Sequence, residues 1–170
     1  MLSRFVLAIL ALTMLLQLSG CGSYSLGTAG KLPFQTIYVE PARNNSYAPQ
    51  VSAPLTDNII ERLQQHPGLK VVETGGADVT LKTTVVNYRR TVGATQSRDT
   101  ALAQSYILTL DCNITLVDNR TGEEIMPTRL VSAKQQAFVD GGFLTAEYQA
   151  IPVLTREMAK NISNEVVSVW

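Results

Sequence analysis

Two stretches of strict alternation constrain this chain more than any other feature. In the first, Ala77, Val79, Leu81, Thr83 and Val85 share one parity, and Asp78, Thr80, Lys82 and Thr84 the other. In the second, Tyr106, Leu108, Leu110, Cys112, Ile114 and Leu116 alternate with Thr109, Asp111, Asn113 and Thr115. A period of two belongs to strands, because successive side chains leave a sheet on opposite faces. Each strand therefore has one apolar and one polar face, and the sheet they build must be covered on one side and open on the other.

The rest of the chain supplies the cover. Ile151, Leu154, Met158, Ile162, Val166 and Val169 recur at steps of three or four, which predicts an amphipathic C-terminal helix. Pro152 either opens that helix or kinks a longer one starting near Thr145. A second helix is predicted over residues 53–65 from Leu55, Ile59 and Leu63. Ser52 stands as its N-cap, Pro54 falls in its first turn, and His66-Pro67-Gly68 ends it. Gln35 to Glu40 and Leu69 to Val72 read as short strands. Ile125 to Phe138 reads as a third long strand, with Pro127 suited to an edge or a bulge. Residues 41–49 and the polar stretch 89–103 read as loops, and Asp118 to Gly122 as a tight turn. The expected fold is α+β: a mixed or antiparallel sheet of about four strands with two helices packed on one face, in the order β-α-β-β-β-α. The packed face should carry Leu81, Leu108 and Leu110 under the stripe Ile151, Leu154, Met158 and Ile162.

Ahead of this domain, Arg4 and the amino terminus precede an apolar run from Phe5 to Leu18 broken only by Thr13 and Gln17. That run matches a signal-peptide core, whereas a spanning helix needs about 20 apolar residues. It closes on Leu18-Ser19-Gly20-Cys21, which looks like a bacterial lipobox; a plain signal peptide ending by chance in a cysteine is the competing reading. The expected division is a lipoprotein signal peptide over 1–20, a lipidated Cys21 with a flexible tether over 21–33, and one α+β domain over 34–170. One acyl chain holds a membrane only marginally, so a diacylglycerol together with an N-acyl chain on Cys21 would make the attachment permanent. Gly22 follows the cysteine in place of the aspartate that commonly retains such proteins at the inner membrane, which favours the outer membrane. No other cofactor is expected.

Removing residues 1–20 takes away one cation, Arg4, and leaves 13 basic against 14 acidic side chains. Bulk charge thus gives no reason to expect a nucleic-acid partner, and any anion site must be local. With Cys21 consumed by lipid, Cys112 has no partner for an internal disulfide and reads as a small buried side chain. His66 is the single histidine, and neither a nucleophile elbow nor a glycine-rich phosphate loop occurs, so neither a catalytic site nor a metal site is expected.

The segment Cys21-Gly22-Ser23-Tyr24-Ser25-Leu26, the strand and loop IYVEPARNNSY, then GADVTLKTTVVNYRR, QSYILTLDCNITLVD and the amphipathic C-terminal helix together resemble the LPS-assembly lipoprotein (LptE-like) family. The resemblance implies an outer-membrane lipoprotein on the periplasmic side. Such a protein plugs the lumen of an LptD-like β-barrel, supports its assembly and binds lipopolysaccharide (LPS). The alternative from another class is a periplasm-facing structural lipoprotein subunit of a secretion or envelope complex, without a lipid ligand. If LPS is bound, its phosphates call for a basic cluster. The candidates are Arg89 and Arg90 at the end of the first long strand, Lys82 on its polar face, Arg98 in the following stretch, and Arg129 and Lys134 on the third. The Arg89-Arg90 pair is the strongest by its bidentate donors, although neighbours on a strand face opposite ways and only one of them can join a given site.

Overall fold

The computed structural model describes residues 32–95, 103–139 and 142–168. The expected signal segment, Cys21 with its tether, Arg98, Val169 and Trp170 lie outside them. The elements in order are β1 (Thr36–Val39), β2 (Arg43–Asn44), α1 (Ser52–Gln64), β3 (Lys70–Val71), β4 (Val79–Thr95), β5 (Ala103–Asp118), β6 (Glu124–Phe138) and α2 (Phe143–Val167). They form one mixed six-stranded sheet in the order β3-β1-β4-β5-β6, with β2 also paired to β4. β1 runs parallel to both β3 and β4, and the three long strands form an antiparallel meander.

The class is as expected, but the strand number is six. Arg43–Asn44, inside the stretch read as a loop, pairs with Thr84 and Val85. Within the polar stretch 89–103, read as a loop, residues 89–95 continue β4 and Ala103 opens β5. Cross-strand pairing with β5 holds this exposed polar extension as sheet, where local composition alone would not. Ser52 opens α1 as its first residue, with Val51 at the cap position and no side-chain cap bond. The first turn is tied instead by Thr56, whose Oγ1 donates to Ser52 O at 2.8 Å and accepts the Ala42 amide at 2.9 Å.

Both helices lie on one side of the sheet. α1 meets β1 and β3, α2 meets β5 and β6, and the helices also pack on each other. Leu55, Ile59 and Leu63 from α1 and Leu154, Met158 and Ile162 from α2 close over Leu81, Leu108, Leu110, Ile114 and Leu116, all fully buried. Pro152 lies inside α2, so the longer of the two expected helices is the one that forms. Thr155, three residues on, donates to Pro152 O at 3.1 Å and accepts from Asn58 Nδ2 at 3.0 Å, which joins the two helices just after the proline. Pro127 falls in β6, the sheet's edge strand, where the register against β5 slips between Ile114 and Leu116. A missing N–H does no harm there.

At the end of the sheet where the domain begins, Asp78 Oδ2 accepts the amides of Gln35 and Thr36, both at 2.9 Å. Those two bonds, with the Thr36 hydroxyl, hold the Asp78 carboxyl below its ordinary value.

Candidate functional site

The position of the basic residues is decided by one irregularity in β4. Up to Val85 the odd-numbered side chains face the helices. Between Val85 and Asn87 the ladder takes in an extra residue, Val86, and from there the even-numbered side chains face them. Tyr88 and Arg90 therefore point under α2, and Asn87 and Arg89 stand on the open face. The expectation that the arginine pair must split is met, and the bulge determines which member goes where.

On the helix side, Tyr88 Oη donates to Glu147 Oε1 at 2.5 Å, and Arg90 Nη1 lies 3.6 Å from the same oxygen. The Arg90 guanidinium also sits 5.2 Å from the centre of the Phe143 ring, which meets Tyr106 edge-to-face at 4.7 Å. Burial, then the bond to Glu147, pushes the Tyr88 hydroxyl above its ordinary range. Arg129 is on this side too, with Nη1 2.9 Å from Glu165 Oε2 on α2. Arg90 and Arg129 thus hold α2 to the sheet and stand apart from the open face.

On the open face, consecutive rungs run across β4, β5 and β6. Asn87, Asp111 and Ser132 form one; Arg89, Thr109 and Lys134 form the next. Asp111, nearly buried at the centre, accepts from Ser132 Oγ at 2.6 Å and Asn87 Nδ2 at 2.8 Å, with Arg89 Nη2 at 3.8 Å. Burial alone would raise its carboxyl. The Ser132 and Asn87 bonds and the charges of Arg89 and Lys134 outweigh it, and the acid is held below its ordinary value, charged at neutral pH. Arg89 and Lys134 flank Thr109 from either side, with backbones about 10 Å apart at two strand spacings. Both side chains are long enough to converge on one anion above Thr109. Lys82 shares the open face but pairs with Thr115, six residues along β5 from Thr109 and so about 20 Å away.

Of the six cations named from sequence, the fold brings together Arg89 and Lys134, leaves Lys82 apart on the same face, and turns Arg90 and Arg129 to the other. Sequence reasoning missed the Asn87–Asp111–Ser132 rung that supports Arg89. Its one available signal was an aspartate at mid-strand, a position that disfavours it.

Two other features belong to the fold. A cleft of about 820 Å³ lies at the domain's entry beside Asp78, Asp118 and Asn119. Its polar groups are engaged with one another: Asp118 Oδ1 accepts the Arg120 and Thr121 amides, and Asn119 bridges Ala77 O and Thr80. Cys112 faces the core, where burial and the neighbouring Asp111 push its thiol up to about 12. It is not a reactive thiol. Among the described residues no group of three or more His, Cys, Asp or Glu could hold a metal ion, and no helix is long and apolar enough to cross a membrane.

Solved structures share this architecture. A minor lipoprotein from Acinetobacter baumannii matches with a TM-score of 0.54 at 15% identity, covering 79% of this chain and 93% of its own. Lipoprotein B from Nitrosomonas europaea matches at 0.53 and 13%, covering 86% and 88%. A Xanthomonas campestris protein matches at 0.54 and 10%, covering 79% and 85%. At such identities the likeness is one of fold. No curated protein matches the chain in sequence. The family model described as LptE, lipopolysaccharide-assembly, matches residues 34–168, which is the whole described sheet and both helices, and the chain belongs to that family.

Proposed function

We propose that this protein is a lipid-anchored component of outer-membrane LPS assembly that holds LPS by its phosphates on the open face of the sheet and supports an LptD-like β-barrel. The carrying observation is the rung Arg89–Thr109–Lys134, two exposed cations in register on an uncovered polar face in a chain of nearly balanced charge. The family supplies the ligand class. A guanidinium grips phosphate oxygens bidentately and an ammonium adds a point charge, the two standing on either side of the buried Thr109. Asp111 lies 3.8 Å from Arg89 and is engaged by Ser132 and Asn87. An open polar sheet face also suits the polar interior of an outer-membrane barrel. Anchoring through Cys21, as Leu18-Ser19-Gly20-Cys21 implies, would hold the domain on the periplasmic side of that membrane.

The test is binding of purified LPS to the Arg89→Asp/Lys134→Asp double variant. Affinity should fall at least about tenfold at low salt and the difference should shrink as salt rises, while the melting temperature stays near that of the parent. Lys82→Asp, about 20 Å away, should change affinity little. Unchanged binding by the folded double variant rules out this site. A parent protein that neither binds LPS nor copurifies with a barrel would favour a structural subunit without a lipid ligand.

A further inference from the structure

Beyond its bulge, β4 is an edge of the sheet. β1 and β2 flank it only as far as Val85, whose carbonyl accepts the Asn45 amide at 2.9 Å, and among the described residues no strand pairs with β4 on that side beyond it. The strand still runs in register with β5 for six rungs, Asn87 to Val92, before the next slip. Gln104 O accepts the Val139 amide on the β6 side, so even-numbered residues of β5 bond β6 and odd-numbered ones bond β4. Asp111, Thr109 and Ile107 thus bond Asn87, Arg89 and Thr91, and the amides and carbonyls of Tyr88, Arg90 and Val92 point out of the sheet edge. An apolar wall stands beside them on the helix side. Leu144, Tyr148 and Thr155 share one stripe of α2, and Thr155 meets Asn58 of α1, so the stripe looks toward the side on which this edge is open. Leu144 is 68% and Tyr148 58% exposed, and Val92 of the edge itself 56%. The opposite edge, β6, is blunted: Pro127 lacks a donor, and Asn161 Nδ2 donates to Ser132 O at 3.0 Å.

We propose that the β4 edge from Asn87 to Val92 takes an added strand from a partner protein, an extended segment apolar on one face and acidic on the other. Main-chain bonds give such an addition its affinity, and alternate side chains give it specificity. The two faces set the composition. Side chains turned to the helices meet Val92, Leu144 and Tyr148, which calls for apolar residues. Those turned to the open face pass beside Arg89, more than half exposed and in only a 3.8 Å contact with Asp111, which calls for carboxylates. A second copy of this chain is a poor occupant, because pairing two such edges sets Arg89 and Arg90 of one against those of the other. The wall of a closed barrel is no better, since its strands are already paired on both sides, so the segment comes from a loop or a terminus. The proposal stands apart from the phosphate reading and shares only Arg89 with it.

The probe is a capped peptide of about eight residues in which valine and glutamate alternate, long enough to span the six rungs, with a valine and lysine alternation as its control. The purified protein should bind the first and not the second. Methylating the backbone nitrogens of one parity in the peptide should abolish binding, and methylating the other parity should spare it, since only one set of amides turns to β4. The Leu144→Ser/Tyr148→Ser variant alters two exposed side chains and should weaken the peptide by about tenfold at an unchanged melting temperature. Absence of binding, equal binding of the lysine control, or full binding by both methylated forms would overturn the proposal. So would a dimer of the protein that the peptide dissociates, which would give the edge to a second copy.

Discussion

Glu147 is a carboxylate taken almost wholly out of water beneath α2, a position tolerable only because Tyr88 donates to it and Arg90 lies alongside. Removing it strands the Tyr88 hydroxyl and leaves the Arg90 charge with only the Tyr88 and Phe143 rings beside it. Glu147→Ala is therefore expected to destabilise the domain by about 1–3 kcal/mol, and Glu147→Gln by less, since an amide oxygen still accepts from Tyr88. Denaturant unfolding of both variants checks this, and equal losses would show that charge, not the acceptor, is what Tyr88 and Arg90 require. Arg89, one residue earlier, makes only a long contact to Asp111 and is more than half exposed. Its replacement should hardly change stability while changing what the face binds. Nothing in the dipeptide Arg89-Arg90 distinguishes these roles. The sequence names the cations, and their partners come from elements 22 and 57 residues away.

The long strands and the two helices were legible because their periods run over many residues and burial rewards each repeat. Val79 to Val85, Leu108 to Leu116 and the stripe through Leu154 fall where the alternation and the helical spacing put them. What escaped was phase. Continuing the alternation of β4 past Val85 would place Arg89 against the helices and Arg90 in the open, the reverse of the structure, because the extra Val86 resets it. A bulge of one residue has no strong local signature, yet it decides which basic side chains share a face. The polar hairpin arms after Arg90 escaped for a related reason, since their pairing partners are distant in sequence. On the helix side, Leu154 is fully buried where α2 crosses the sheet and packs on α1. Leu154→Ala should cost about 2–5 kcal/mol by the cavity it opens. Calorimetric melting measures it, and a loss below about 1 kcal/mol would mean that α2 can settle into the space.

At the scale of the molecule, two aspartates link stability to acid. Asp78 ties the start of the domain to β4, and Asp111 sits at the middle of the open face; both are held below 3.8, the ordinary value. A carboxyl with a lower value folded than unfolded contributes stability that is fully present above the unfolded value and is lost as pH falls through the folded one. The domain should therefore keep its melting temperature down to about pH 5 and lose it progressively below about pH 4. Asp78→Asn should show a shallower decline, because that titration is gone. A melting temperature as steeply acid-dependent in Asp78→Asn as in the parent would assign the effect elsewhere. Among the described residues the buried core runs from Phe34 to Val166. A chain beginning at Lys31 should melt with the lipidated protein and bind LPS in solution with the same affinity. Cys21→Ala in the full chain should instead accumulate as a precursor held by its signal segment, because at a site of this kind lipid transfer must precede the cut. Intact-mass spectrometry of the membrane fraction distinguishes the outcomes. A mature parent with an unmodified Cys21, or a Cys21→Ala chain cleaved normally, would return Leu18-Ser19-Gly20-Cys21 to the status of an ordinary signal-peptide ending.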